Sequence, residues 1–272
     1  MSLESELSIF ENSTIGAITG LSEVLVTNPL FVIKTNIQQG KPIPWSFKGL
    51  YQGVTANALG FIPITATQVG FSKWMENYFF SNEPSYKQKI GSAFTAGVLS
   101  SFISCPVEMI MTLQNDTPTL NIINAVKTQV KTQGFSGLFI GQFSTALREG
   151  SFSVFFLAIP PILKNQMKPY CKDDTTASVV AGVCSGIAAT VVSQPVDTIK
   201  TTQQSNSHLN LGFFQAAKKI GPSNLFNGIL SRSSSIIISI TLMSWMKETL
   251  ENYCASHHEC SSNNNNLSNS KC

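Results

Sequence analysis

The chain is short of charge. Asp, Glu, Lys and Arg make up 12% of its 272 residues against 43% apolar residues, a depletion rare in soluble domains of this size. Histidine is scarcer still, at His208, His257 and His258, so no helix carries a His-x-x-x-His metal pair. No nucleophile elbow and no glycine-rich phosphate loop occurs either. These absences argue against an enzyme, and no catalytic residue, metal site or cofactor is expected. The six cysteines (Cys105, Cys171, Cys184, Cys254, Cys260 and Cys272) form no CxxC pair, and two of them sit in apolar stretches, which argues against a disulfide framework. A formal charge of +3 is too small to imply nucleic acid. Met1 to Leu7 holds two glutamates and no base, unlike a signal peptide or an Arg-rich transit segment.

The charges are also unevenly spread. Val54 to Ser72, Gly91 to Val107 and Thr175 to Val196 contain none. Ser13 to Ile33 carries only Glu23, Gln142 to Leu163 only Arg148 and Glu149, and Gly228 to Met246 only Arg232. Six such segments of about 20 residues match the thickness of a bilayer. They are rich in Gly, Ser, Thr and Ala, which suits helices that pack closely and line a polar space. Gly16-x-x-x-Gly20 and Gly182-x-x-x-Gly186 are candidates for such contacts. The competing architecture is a soluble all-helical domain with buried helices.

Two landmarks recur in the same order. Asn28-Pro29-Leu30-Phe31-Val32-Ile33-Lys34, Cys105-Pro106-Val107-Glu108-Met109-Ile110-Met111 and Gln194-Pro195-Val196-Asp197-Thr198-Ile199-Lys200 each end an apolar stretch. Their prolines are 77 and then 89 residues apart. An aromatic-x-Gly follows each, at Tyr51-Gln52-Gly53, Phe139-Ile140-Gly141 and Phe226-Asn227-Gly228. The chain is therefore a triplicated unit. Proline removes a backbone donor and kinks a helix, at Pro29, Pro106 and Pro195. An acid and a base three residues apart share a helix face, where an exposed pair is worth little. Around a pseudo-threefold axis, each acid can instead reach the base of the next helix and close a pore.

These motifs resemble the mitochondrial carrier family, whose signature is Pro-x-[Asp/Glu]-x-x-[Lys/Arg] in three copies. The likeness covers about residues 10 to 252. It implies an all-α membrane protein with six transmembrane helices around a cavity. The repeats would span 1–85, 86–170 and 171–253, with a disordered Ser/Asn-rich tail at 254–272. It also implies a multi-pass monomer of the mitochondrial inner membrane that moves a small molecule by alternating access between two gates. Short matrix helices are expected at Ser46 to Tyr51, Leu120 to Thr132 and Gly212 to Lys219.

The family's pairing order sets Phe31 against Met111, Glu108 against Lys200 and Asp197 against Lys34 as the matrix gate. The first pair has lost both charges together. Loss of one alone would strand a charge at roughly 3–5 kcal/mol if buried, whereas a Phe–Met contact is favourable. Gln38 and Gln204 match the glutamines that brace this ring, and Asn115 departs. On the opposite side, the cytosolic slots hold Lys73 and Glu76, Pro161 and Lys164, and Glu248 and Glu251. Cyclic pairing there sets Lys73 against Lys164 and Glu248 against Glu76, which disfavours closure.

Ionisable groups inside a membrane helix are candidates for function. The family's substrate contacts, seven residues beyond each repeat glycine, fall on Gly60, Arg148 and Ser235. Glu149, Arg232, Glu23 and Phe61 complete the candidate set. An Arg-acid doublet resembles carriers of amino acids and their derivatives, because a zwitterion needs a guanidinium for its carboxylate and a carboxylate for its ammonium. Gly60 with Pro63, Leu147 to Ser153, and Gly228 with Arg232 are similar to the S-adenosylmethionine subgroup. A nucleotide carrier using Arg148 and Arg232 is the alternative. A degenerate carrier acting as a non-transporting binding protein is another. Cardiolipin is the expected lipid partner, held by helix N-termini after Gly53, Gly141 and Gly228. Gln52, Ile140 and Asn227 replace the basic residue of that motif, so weaker retention is expected.

Overall fold

The computed structural model describes residues 8–38, 45–51, 54–80, 84–116, 122–205, 207–209, 211–226 and 229–269. The side chains of 30–38, 48, 55–57, 111, 112, 114–116, 205, 207, 223, 230–232 and 255–269 lie outside that description. Phe31, Lys34, Gln38, Met111, Asn115 and Arg232 are therefore placed by backbone only, and Gly53 and Gly228 not at all. Long helices dominate: α1 (Ile9–Gln38), α3 (Val54–Phe79), α4 (Tyr86–Asp116), α8 (Asp174–Ser205) and α10 (Ile229–Asn269). The fourth long element is composite. It runs through α6 (Gln142–Ser153), a π segment (Val154–Ala158) and α7 (Ile159–Met167). Short helices α2 (Phe47–Leu50), α5 (Ile122–Gln133) and α9 (Phe213–Ile220) precede the second helix of each repeat.

The six long elements close a ring. Contacts run from α1 to α3, α3 to α4, α4 to α6, α6 and α7 to α8, α8 to α10, and α10 back to α1. Small residues set the spacing within each repeat. A Cβ on Gly16 would lie 2.6 Å from the Thr65 carbonyl oxygen, and one on Gly182 or Gly186 would lie 2.7 Å from the Cα of Thr241 or Ile237. In the middle repeat Gly97 takes that place, against the backbone of Glu149 and Gly150. Three stretches are long and apolar enough to cross a membrane among the described residues: Tyr86–Ile110, Phe135–Tyr170 and Asp174–Gln204.

Pro29, Pro106 and Pro195 lie inside continuous helices, each freeing a carbonyl one turn back. The same corner fastens the next helix. Asn28 Nδ2 donates to the Leu50 carbonyl at 2.8 Å, the Cys105 thiol lies 3.6 Å from that of Ile140, and Thr198 Oγ1 donates to that of Leu225 at 2.9 Å. The π segment has a cause in sequence. Pro160 and Pro161 offer no N–H to the carbonyls of Phe156 and Leu157, and the ladder relaxes to wider spacing. Ser244 Oγ on α10 donates to the Phe156 carbonyl and takes up part of the loss, while Ser185 Oγ on α8 donates to that of Phe155. At the far end, the α10 helix runs to Asn269.

Candidate substrate site and ion-pair network

Arg148 is the hub of the proline-end network. It projects from α6, and its Nη2 lies 2.6 Å from Glu108 Oε1 on α4 and also bonds Glu149. Its Nε lies 3.8 Å from Asp197 Oδ1 on α8. Glu108 is shared, because its other oxygen sits 2.7 Å from Lys200 Nζ on α8. One guanidinium thus ties three helices, and Nη1 donates no hydrogen bond among the described residues. Glu149 has a second anchor. Gln68, fully buried on α3, donates from Nε2 to Glu149 Oε2 and also lies 3.0 Å from Ser100 Oγ.

Beside this hub lies a cavity of about 230 Å³ lined by α1, α3, α4 and α6. Five of the candidate residues meet there: Glu23, Gly60, Phe61, Arg148 and Glu149. Gly60 keeps that wall flat, since a Cβ would come within 3.0 Å of Val107. Glu23 accepts hydrogen bonds from Ser239 Oγ at 2.6 Å and Thr27 Oγ1 at 3.0 Å. Ser235, one turn earlier on α10, is half-buried and does not line this cavity. Gln204 is 2% exposed, and neither end of its amide finds a hydrogen bond, so it does not brace the Glu108–Lys200 pair directly.

Above the cavity the second helices of the three repeats converge. Val69, Phe156 and Met243, each at most 1% exposed, form an apolar layer against which Phe61, Phe152 and Leu157 pack. Beyond that layer the charges depart from the expected pairing. Lys164 is bound to Glu248 across α7 and α10, and lies 3.7 Å from Asp174. Lys73 pairs within its own helix to Glu76 at 3.6 Å, and Lys247 to Glu251 at 2.8 Å. The anticipated contacts of Lys73 with Lys164 and of Glu248 with Glu76 are therefore replaced by opposite-charge pairs. A wider cavity of about 370 Å³ opens here, lined by Lys89, Lys164, Lys168, Lys247, Glu248 and Glu251 among others.

Comparison with known proteins decides the family. The model described as "Mitochondrial carrier protein" matches residues 82–169 and 172–258, well over half of the chain. The chain belongs to the mitochondrial carrier family. As a member it is a transporter and not an enzyme, all-helical, and a multi-pass protein of the mitochondrial inner membrane. The S-adenosylmethionine carrier protein of Xenopus laevis is 27% identical over 81% of this chain and 88% of its own length. Similar likeness reaches a substrate carrier family protein X of Dictyostelium discoideum, 27% over 92% and 94%. The carnitine carrier of Saccharomyces cerevisiae is 28% identical over 72% and 62%. Two of these relatives are named for different solutes, S-adenosylmethionine and carnitine, so the family fixes transport and leaves the solute open.

Two contributors escaped the reading by motif. Gln68 is uncharged in an apolar run and carries no positional signal. Asn28 and Cys105, which directly precede their prolines, and Thr198, three residues after Pro195, could be found only by asking which side chains reach the carbonyl three residues before each repeat glycine.

Proposed function

We propose that this carrier moves an amino acid or an amino-acid derivative bearing both a carboxylate and a positive charge, S-adenosylmethionine being the fitting example. The supporting observation is that Arg148 and Glu23 line one 230 Å³ cavity, with Gly60 and Phe61 between them. Arg148 keeps Nη1 for a ligand carboxylate, while Glu23 offers a carboxylate to an ammonium or sulfonium. The face of Phe61 can take the planar part of a larger solute. Three acids around Arg148 make the cavity hostile to a polyphosphate, which weighs against the nucleotide alternative. The cross-helix Lys164–Glu248 pair gives the cytosolic side a closing contact, which weighs against a degenerate, non-transporting protein.

In this reading Glu108 and Lys200 form part of the matrix gate, with Asp197 facing Lys34 and Phe31 facing Met111 by the family's order. The three prolines act as the bends of the odd helices. The carrier works as a monomer and retains cardiolipin weakly at its helix N-termini. The test is uptake into liposomes of S-adenosylmethionine, lysine and ATP. Arg148→Ala should cut uptake of the first two about tenfold or more, since a charged hydrogen bond contributes roughly 1.5–3 kcal/mol. Arg148→Lys should recover only part of it, lacking the planar fork. Glu149→Gln should hurt cation-bearing solutes most. Equal losses for every solute would assign the doublet to the gate alone and end the amino-acid reading.

A further inference from the structure

Glu23 differs from every other acid at the cavity. Glu108, Glu149 and Asp197 all lie against Arg148, and Glu108 against Lys200 as well. Glu23 has no basic partner among the described residues. Both of its hydrogen bonds, from Ser239 and Thr27, go to Oε1, and Oε2 receives none. The side chain is 7% exposed and lines the 230 Å³ cavity.

Among the described residues the surroundings offer no compensating charge. The α3 wall presents Gly60, Phe61 and Ile64, and α10 contributes Ser239; the Arg232 side chain on α10 lies outside the description. The α4 and α6 walls present Glu108, Arg148 and Glu149, which are bonded to one another. An ionised carboxylate buried inside a membrane protein without a counter-charge costs several kcal/mol and neutralises instead. Two partners can do that at Oε2: a proton, or the positive group of a solute. Ser239 and Thr27 hold Oε1 in either case, so exchanging one partner for the other requires no rearrangement of the carboxyl.

We propose that Glu23 couples transport to a proton: its carboxyl is protonated when the cavity is empty and gives up that proton to admit the solute's ammonium or sulfonium. This rests on the amino-acid-derivative reading above. On loading, the Oε2–H bond breaks, the proton passes to water on the side of entry, and the carboxylate pairs with the cation. On release at the far side, Oε2 takes a proton there and returns with it. S-adenosylmethionine carries one net positive charge, so the exchange of one solute for one proton is electroneutral.

The test uses the full chain in liposomes containing a pH-sensitive dye and no internal solute, with external S-adenosylmethionine. Uptake should alkalinise the interior, and an interior one pH unit more acidic should support about tenfold accumulation. Glu23→Asp should keep the coupling at a lower rate, while Glu23→Gln should lose both the coupling and the pH response. Uptake by the wild type without alkalinisation overturns the proposal. A second readout needs no solute. Infrared difference spectra of the empty carrier against Glu23→Gln at neutral pH should show the carbonyl stretch of a protonated carboxyl, and its absence equally overturns the proposal. If that band is present while no solute of the panel enters, the amino-acid reading falls and the proton site stands.

Discussion

Replacing Gly97 by Ala should show that helix packing sets the substrate site. A Cβ at residue 97 would lie 2.3 Å from the Glu149 carbonyl oxygen and 2.7 Å from Gly150 Cα. Ordinary contact begins near 3.4 Å, so α4 and α6 must part by about 1 Å. Overpacking of this kind costs about 1–3 kcal/mol, partly offset by about 1 kcal/mol of helix propensity gained over glycine. Gly91 on the same helix is the control, because a Cβ there meets nothing within 4 Å. Gly91→Ala should raise the apparent Tm and leave uptake alone, whereas Gly97→Ala should lower it by roughly 2–4 °C per kcal/mol lost. A shift of about 1 Å in the backbone that carries Arg148 and Glu149 should also cut uptake by one to two orders of magnitude, the scale of a misplaced active group. Thermal unfolding in detergent and initial uptake rates give both numbers. If Gly97→Ala matches Gly91→Ala in both, the close approach of α4 and α6 does not position the site.

Other expectations follow from the ion pairs. A double-mutant cycle of Glu108→Ala and Lys200→Ala on uptake should return a coupling of about 0.5–3 kcal/mol, and additivity would remove this pair from the gate. Lys200→Ala should be milder than Arg148→Ala, because Glu108 keeps its bond to Arg148. At the other end Lys164→Glu should slow uptake and Lys164→Glu with Glu248→Lys should restore it. The pair is partly exposed, so its contribution is about 0.2–1 kcal/mol and the change no more than about fivefold. Phe31→Glu with Met111→Lys should add an ionic contact and slow turnover, while Phe31→Glu alone should be worse; equal behaviour would break the assigned order.

The ring was legible because its signals are spaced by the backbone itself. Repeated prolines and glycines mark helix ends, and Gly16, Gly20, Gly182 and Gly186 meet the partner helices that their spacing indicated. The cytosolic slots were not legible, for a local reason. The π segment at Val154–Ala158 adds a residue to one turn, and at 3.6 residues per turn this rotates everything after it by about 100°. Pro161 and Lys164 still face the corresponding residues of α3 and α10 across the cytosolic cavities, but counting forward from Gly141 does not give the partner that each one reaches. Lys164 turns to Glu248 instead. Gln68 was invisible for a different reason: an amide between apolar neighbours becomes informative only when the carboxylate it holds, 81 residues away, is seen beside it.

In the proposed function recognition and gating share one atom set, and that has an energetic consequence. In the described arrangement Glu108 is divided between Arg148 and Lys200, at 2.6 and 2.7 Å, while Arg148 also serves Glu149 and approaches Asp197. A solute carboxylate arriving at Nη1 of Arg148 adds a fourth negative charge to one guanidinium, and its pull on Arg148 weakens the contacts on the other side. Each contact to a charged group is worth roughly 1.5–3 kcal/mol, so displacing one acceptor is comparable to the shift needed to invert a two-state equilibrium of modest bias. The weakest of the three, Asp197 at 3.8 Å, lies on α8 beside Lys200, and its release loosens that helix from α6. In the proposed function, binding therefore opens the matrix side by competition for one arginine. Meanwhile the apolar layer of Val69, Phe156 and Met243, already packed on the cytosolic side, can stay closed at little electrostatic cost.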